Sequence, residues 1–166
     1  ASRLAIEFDA QIPENERPEY TSGYEGFYHL ISMQGEVGEA KLNYIVRDHD
    51  KNGFEERKKT LRLIEKNLNA KWGEGTVTLK ITDQYLNMKE IVEEHMHLID
   101  HAKKACEAAG VAPLILPIRG GTDGCQLSFK GLPCPNLGTG GHAYHGPYEH
   151  ITVEGMDQTV DVAVEV

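Results

Sequence analysis

Between residues 27 and 81 the apolar residues change period twice, and that succession limits the available folds more than any other feature of the sequence. Ala40, Leu42, Tyr44 and Val46 alternate with polar positions. Phe27, Ile31 and Met33 do so less cleanly, with His29 as the odd member, and Gly35 and Gly38 supply a turn between the runs. Successive side chains of a strand point to opposite faces, so the two runs predict an antiparallel hairpin. From Phe54 the spacing becomes helical through Leu61, Ile64 and Leu68, with Asp50 placed to cap and Gly73 and Gly75 to terminate. Alternation returns at Val77, Leu79 and Ile81. A helix with Leu4, Ala5 and Phe8 on one face opens the chain, and a polar, Pro-containing connector over residues 13–23 follows it. Helix, strand, strand, helix, strand is a split β-α-β sandwich lacking its first strand, assigned to residues 1–84.

Residues 85–166 follow a different logic. Val92, Met96, Ile99, Ala102 and Cys106 line one face of a helix that Gly110 can end. Residues 114–118 form a continuous apolar run, as expected of a strand buried on both faces. A Gly-rich loop leads into a short helix through Leu127 and Phe129, and a further strand is expected near residues 135–137. A loop rich in Gly and His then runs to Glu149, and Thr152 caps a last helix carrying Val153, Met156, Val160 and Ala163. This alternation predicts an α/β arrangement with functional loops after the strand ends. The chain opens with Ala1 inside one helix and stops at Val166 inside another, which suggests a piece of something longer.

Composition narrows the function. With 40% hydrophobic and 26% charged residues the chain can build a core, which excludes a disordered or collagen-like class. A formal charge of −9 repels phosphate backbones, so nucleic acid is not an expected partner. No apolar run approaches the ~20 residues that span a bilayer, and no basic-then-apolar leader is visible, so no membrane is expected either. Cys106, Cys125 and Cys134 form no C-x-x-C pair, which fits idle thiols in a reducing cytosol, with a nucleophilic Cys125 as the lesser reading.

Three clusters carry candidate chemistry. Arg119, Gly120, Gly121, Thr122, Asp123 and Gly124 join an expected strand to an expected helix, where glycines admit a ligand close to the backbone and Arg119 can clamp a carboxylate or phosphate. The same residues also suit a simple tight turn. His142, His145 and His150 stand near Tyr144, Tyr148 and Glu149, and imidazole is a common zinc ligand that a carboxylate can orient. One loop supplies too few ligands for a catalytic zinc, so from spacing alone surface histidines are the better reading. His97 and His101, with His95 before them, have metal-capable spacing but lack the glutamate of an H-E-x-x-H helix, and they read as solvated residues. Arg47 and Asp48 end a strand, as a ligand contact or a surface ion pair.

The stretches GYEGFYHL (residues 23–30), YIVRD (44–48) and PIRGGTDG (117–124), followed by QLSF (126–129), GLPCPNL (131–137) and YHG (144–146), carry a family resemblance. Together they resemble the C-terminal part of the peptidase T family, bacterial zinc aminotripeptidases within a wider superfamily of di-zinc peptidases and aminoacylases. The resemblance implies that residues 1–84 are most of a lid and dimerisation domain, with a homodimer as the implied partner. It implies that residues 85–166 are the C-terminal part of an α/β catalytic domain. His145 matches the last zinc ligand, with Glu149 just beyond it. Arg119, Gly120, Gly121, Thr122 and Asp123 match a loop that holds substrate near the metals, and Arg47 an arginine that reaches a substrate carboxylate. The family's two zinc ions, its other ligands, its general base and its lid histidine belong upstream, so no catalytic residue is expected within these 166. Tripeptide hydrolysis in the cytoplasm is the implied activity of the intact protein. A non-catalytic lid and dimerisation piece, or a related dipeptidase or N-acyl amino acid hydrolase, are the alternatives. Ala143 stands where the family pattern leads us to expect Asn, and Gly138 where it leads us to expect a bulkier residue.

Overall fold

The computed structural model describes residues 1–84 and 86–166; Tyr85, where the second block is expected to begin, lies outside the described residues. The chain divides into two compact units, Ala1–Gln84 and Tyr85–Val166. Among the described residues, no helix is long and apolar enough to cross a membrane.

Unit one begins with α1 (Ser2–Asp9), followed by two short 3-10 turns and the antiparallel pair β1 (Phe27–Gly35) and β2 (Ala40–Arg47). The pairing runs from Phe27 opposite Arg47 to Gly35 opposite Ala40. It slips at one point, where Leu30 faces Tyr44 and Ser32 faces Asn43, leaving Ile31 as the extra residue of a bulge. The bulge puts Tyr28, Leu30 and Met33 on the face of Leu42, Tyr44 and Val46, so the expected alternation breaks at Ile31, while Phe27 and Tyr28 are both buried. Tyr28 is 2% exposed and Ile31 51%. Helix α2 (Lys51–Trp72) starts where the Asp50 carboxylate accepts from the Gly53 N–H at 2.7 Å, and it ends at Gly73 with φ of 111°. Its Leu61, Ile64 and Leu68 meet Phe8, Ile12 and Tyr28 in the core, and Leu42, Tyr44 and Val46 pack against them.

The strand expected at Val77, Leu79 and Ile81 does not form. Val77 and Leu79 still pack on the core, but side chains of α2 hold their main chain. The Asn69 amide accepts from the Val77 N–H at 2.8 Å and donates to the Val77 carbonyl at 2.9 Å. The Glu65 carboxylate accepts from the Leu79 N–H at 2.6 Å. Alternation reports which side chains are buried, and a segment bracketed by side chains satisfies it without a ladder. Lys58, 6% exposed, completes the bracket through Glu55 at 2.6 Å and Asp83 at 3.2 Å. Opposite, the Tyr44 hydroxyl donates to Asp9 at 2.7 Å, and Arg17 pairs with the same carboxylate at 2.9 Å. Burial, and then the neighbouring Asp9, hold the Tyr44 phenol well above the usual tyrosine range.

Unit two contains α3 (Lys89–Val92), a 3-10 turn, α4 (Met96–Ala108), α5 (Asp123–Phe129), the two-residue strands β3 (Gly141–His142) and β4 (His150–Ile151), and α6 (Val153–Glu165). Helix α4 ends as expected on Gly110, at φ of 71°, where the Gly110 and Val111 N–H groups return to the Glu107 and Cys106 carbonyls. Helices α4 and α6 pack together, and Ala105 and Val162 are buried. The expected apolar face of α6 is instead exposed, with Val153 at 65% and Val160 at 60%. Residues 114–118 lie outside both sheets, and Leu114 is 76% exposed. A doubly buried strand needs neighbours on each edge, and among the described residues this run has none. Residues 135–137 are likewise not a strand.

Substituting Asn69→Ala removes both bonds to Val77. Urea unfolding is expected to show a loss of about 1–3 kcal/mol, with hydrogen exchange at the Val77 amide accelerated more than at the β1 and β2 amides. Equal acceleration throughout would show that the segment is not held by this side chain.

Candidate functional site

Two loops of unit two carry most of the candidate residues. In the first, the Thr122 hydroxyl caps α5 by accepting from the Cys125 N–H at 3.2 Å, and it accepts a second bond from the Asn136 amide at 3.2 Å. Residues 131–136 therefore fold back over the start of α5. The Ser128 hydroxyl, 1% exposed, accepts from the Cys134 N–H at 3.0 Å and fixes that return. Gly124 is required by the approach: a Cβ there would stand 2.5 Å from the Cys134 carbonyl oxygen and 2.7 Å from the Asn136 side-chain oxygen. Gly120, Gly121 and Asp123 are exposed and Arg119 is half-buried, so the loop offers its backbone and a guanidinium beside an anchored helix start. Asn136 is a member of this site that sequence reasoning did not single out; its signals were its place in the GLPCPNL stretch and a polar side chain inside an expected strand.

The second loop is a small hairpin. Gly141 pairs with Ile151 and His142 with His150, which stacks the two imidazoles at 5.3 Å between ring centres. Gly140, at φ of 73°, crosses so close to α6 that a Cβ would stand 2.8 Å from the Gly155 carbonyl oxygen. The Thr139 and Tyr144 hydroxyls are 3.0 Å apart. Between the strands, Ala143 and His145 take positive φ values of 53° and 63°, a region that side chains other than glycine seldom occupy. The Glu149 carboxylate accepts from the His145 N–H at 3.1 Å and holds that turn, leaving the imidazole exposed. The expected trio of histidines is thus divided: His142 and His150 face each other, whereas His145 is fixed by Glu149.

Arg47 belongs to unit one, at the end of β2, where its guanidinium donates to the Gln84 side-chain oxygen at 3.3 Å. On α4 the rings of His97 and His101 stand edge to face at 6.0 Å. Among the described residues no group of three or more His, Cys, Asp or Glu side chains is placed to hold a metal ion. Cys106, Cys125 and Cys134 are free thiols, and Cys125 Sγ lies 3.9 Å from the Leu86 carbonyl oxygen.

Comparison with known proteins gives these loops a context. Over 98% of its length the chain is 52% identical to a peptidase T of Alkaliphilus oremlandii, and over its whole length 51% identical to a peptidase T of Bacillus licheniformis. It covers 40% of each, so the chain spans about two fifths of the curated relatives it matches. The resemblance noted in the motifs therefore extends across essentially the whole chain. No family model matches it. Among solved structures, a tripeptidase from Staphylococcus aureus matches with a TM-score of 0.63 at 15% identity, over 98% of this chain and 43% of that one. The aminopeptidase PepT of Bacillus cereus matches with a TM-score of 0.59 at 18% identity, over the same shares. These two establish the fold alone, a mixed α/β arrangement as expected.

Gly140→Ala forces a side chain both into a left-handed conformation and against α6. A loss of about 1–3 kcal/mol is expected in thermal unfolding. The ring-current shifts of His142 and His150 should also collapse in NMR spectra. Unchanged histidine shifts would show that the crossing does not shape the loop.

Proposed function

We propose that residues 1–166 supply the lid block and the C-terminal part of the catalytic domain of a zinc-dependent aminotripeptidase, which releases the first residue of a tripeptide. The observation that supports this reading is the 50–53% identity, running nearly end to end, to proteins named peptidase T. In this reading residues 1–84 form most of the lid and the surface of a homodimer, and the intact enzyme works in the cytoplasm on peptide breakdown.

The residues present fit zinc as part of a site. His145 is held by its backbone with its imidazole exposed on the loop, and imidazole nitrogen is a donor that zinc accepts. A catalytic zinc needs about three protein ligands, so the other donors and the general base lie outside residues 1–166 in this proposal. When bound, zinc lowers the pKa of a coordinated water and polarises a substrate carbonyl.

The remaining work falls to this chain's own groups. Glu149 acts as a positioning residue, because its acceptor oxygen keeps His145 in the left-handed turn. Thr122 is engaged twice, as cap and as acceptor from Asn136, so it shapes the loop, while Gly120 and Gly121 admit the substrate and Asp123 begins α5. Arg119 grips the C-terminal carboxylate of the tripeptide, because a guanidinium fork matches two carboxylate oxygens. Arg47 of unit one reaches a substrate carboxylate in this reading, by the same guanidinium chemistry. Gripping that end fixes which peptide bond is presented and measures the length of the substrate.

A second reading rests on the lack of a three-donor metal group among the described residues: by themselves, residues 1–166 are a lid and association piece without catalysis. Assays on the isolated chain and on the full-length peptidase separate the two. The first reading expects chelator-sensitive hydrolysis in the full-length protein only. A panel including dipeptides and N-acyl amino acids tests the related hydrolase activities.

In the full-length enzyme, Arg119→Ala is expected to lower kcat/KM at least tenfold for tripeptides with a free carboxylate and to leave their amidated forms nearly unchanged. Equal losses on both would show that Arg119 does not recognise the carboxylate.

A further inference from the structure

Strand β2 ends at Arg47, opposite Phe27 in the ladder, and the residue after it carries a buried carboxylate. The Asp48 side chain is 8% exposed and is held at both oxygens. Its Oδ2 accepts from Arg57 Nη1 of α2 at 2.8 Å, and its Oδ1 accepts from the Asp50 N–H at 2.8 Å. Two glycines make room for it. A Cβ at Gly26, just before β1, or at Gly53, in the first turn of α2, would fall on Asp48 Oδ2. Arg57 ties these segments together. Its Nη2 donates to the Gly26 carbonyl at 3.0 Å and pairs with Glu16 at 3.2 Å, and its guanidinium lies 5.7 Å from the centre of the Tyr28 ring. Gly26, Asp48, Gly53 and Arg57 thus interlock the GYEGFYHL stretch, the YIVRD stretch and the start of α2. A buried ion pair is weak evidence for stability alone, because apolar groups of similar volume often serve as well. What apolar packing does not supply is direction: a guanidinium fork holds a carboxylate in one orientation.

We infer that Asp48 and Arg57 are a positioning pair for Arg47: they lock the end of β2, so that the Arg47 guanidinium meets the carboxylate of a peptide substrate from one direction. This rests on the role proposed for Arg47 above. Val46 packs on the core, and neighbours along a strand point to opposite faces, so Arg47 leaves the sheet on the side away from the core. The main chain that carries it sets where that side chain starts, and Asp48 is the next residue along that chain. Bidentate recognition of a carboxylate is geometrically demanding, and a misplacement of about 1 Å is enough to weaken it. Asp48 itself touches no substrate in this account. The pair therefore sets affinity for a free C-terminal carboxylate and leaves the chemical step alone.

The test is steady-state kinetics of the full-length peptidase on a tripeptide and its amidated form, with Asp48→Asn, Gly53→Ala, Arg47→Ala and the double variant of Arg47→Ala with Asp48→Asn. Asparagine offers one acceptor oxygen to two donors. Alanine at position 53 displaces the Asp48 carboxylate from Arg57 while suiting a helix better than glycine, so it carries the test if Asp48→Asn does not fold. Either variant is expected to raise KM for the free tripeptide about tenfold, with kcat changed by less than about twofold and the amidated form unaffected. The double variant is expected to be no worse than Arg47→Ala alone, because Asp48 acts through Arg47. Unchanged kinetics, an equal loss on both substrates, a fall in kcat alone, or additive losses in the double variant would each overturn the inference and leave the role of Arg47 standing. If Arg47→Ala itself leaves both substrates unchanged, the proposed carboxylate contact of Arg47 fails, and this inference fails with it.

Discussion

Main-chain groups taken out of water must find partners, and in this chain side chains repeatedly supply them where a sheet would supply a ladder. Asn69 and Glu65 hold Val77 and Leu79, and Ser128 holds the Cys134 N–H. Thr122 and Thr152 cap α5 and α6, and Glu149 holds His145. Val77, Leu79 and Cys134, held in this way, belong to no strand. The candidate loops use this device: the Ser128 and Asn136 contacts help anchor the return over α5, and Glu149 helps restrain the left-handed turn at His145.

The same device explains what the sequence disclosed. Helices were legible because their signals are local: Asp50 and Thr152 cap as expected, and Gly73 and Gly110 terminate. The core of unit one followed from the spacing of Leu61, Ile64 and Leu68. Strands were less legible, because pairing depends on a partner that a local pattern does not contain. Val77 and Leu79 alternate correctly and yet are bracketed by a helix, and residues 114–118 have the composition of a buried strand without neighbours among the described residues. The bulge at Ile31 breaks the alternation of β1 through a single extra residue, which the local pattern does not register.

The candidate site shows a similar division. The Gly-rich loop and the histidine loop stood out by composition, but the stacking of His142 on His150 arises from a two-residue strand pair that no periodicity marks. The crossing of Gly140 over Gly155 joins positions fifteen apart, so neither glycine announces the other. The assignment of His145 over its neighbours came from a motif and not from spacing. Its held backbone and exposed imidazole are what a ligand contributed to a larger site requires.

The proposal that these residues complete a di-zinc peptidase turns on His145. Metal analysis of the dialysed full-length peptidase, unsubstituted and with His145→Ala, tests it most directly. The expected result is two tightly held zinc ions in the first protein and the loss of one in the second, with activity reduced far beyond the ~10–100-fold typical of a residue that only supports a ligand. Two tightly held zinc ions in the substituted protein would contradict it.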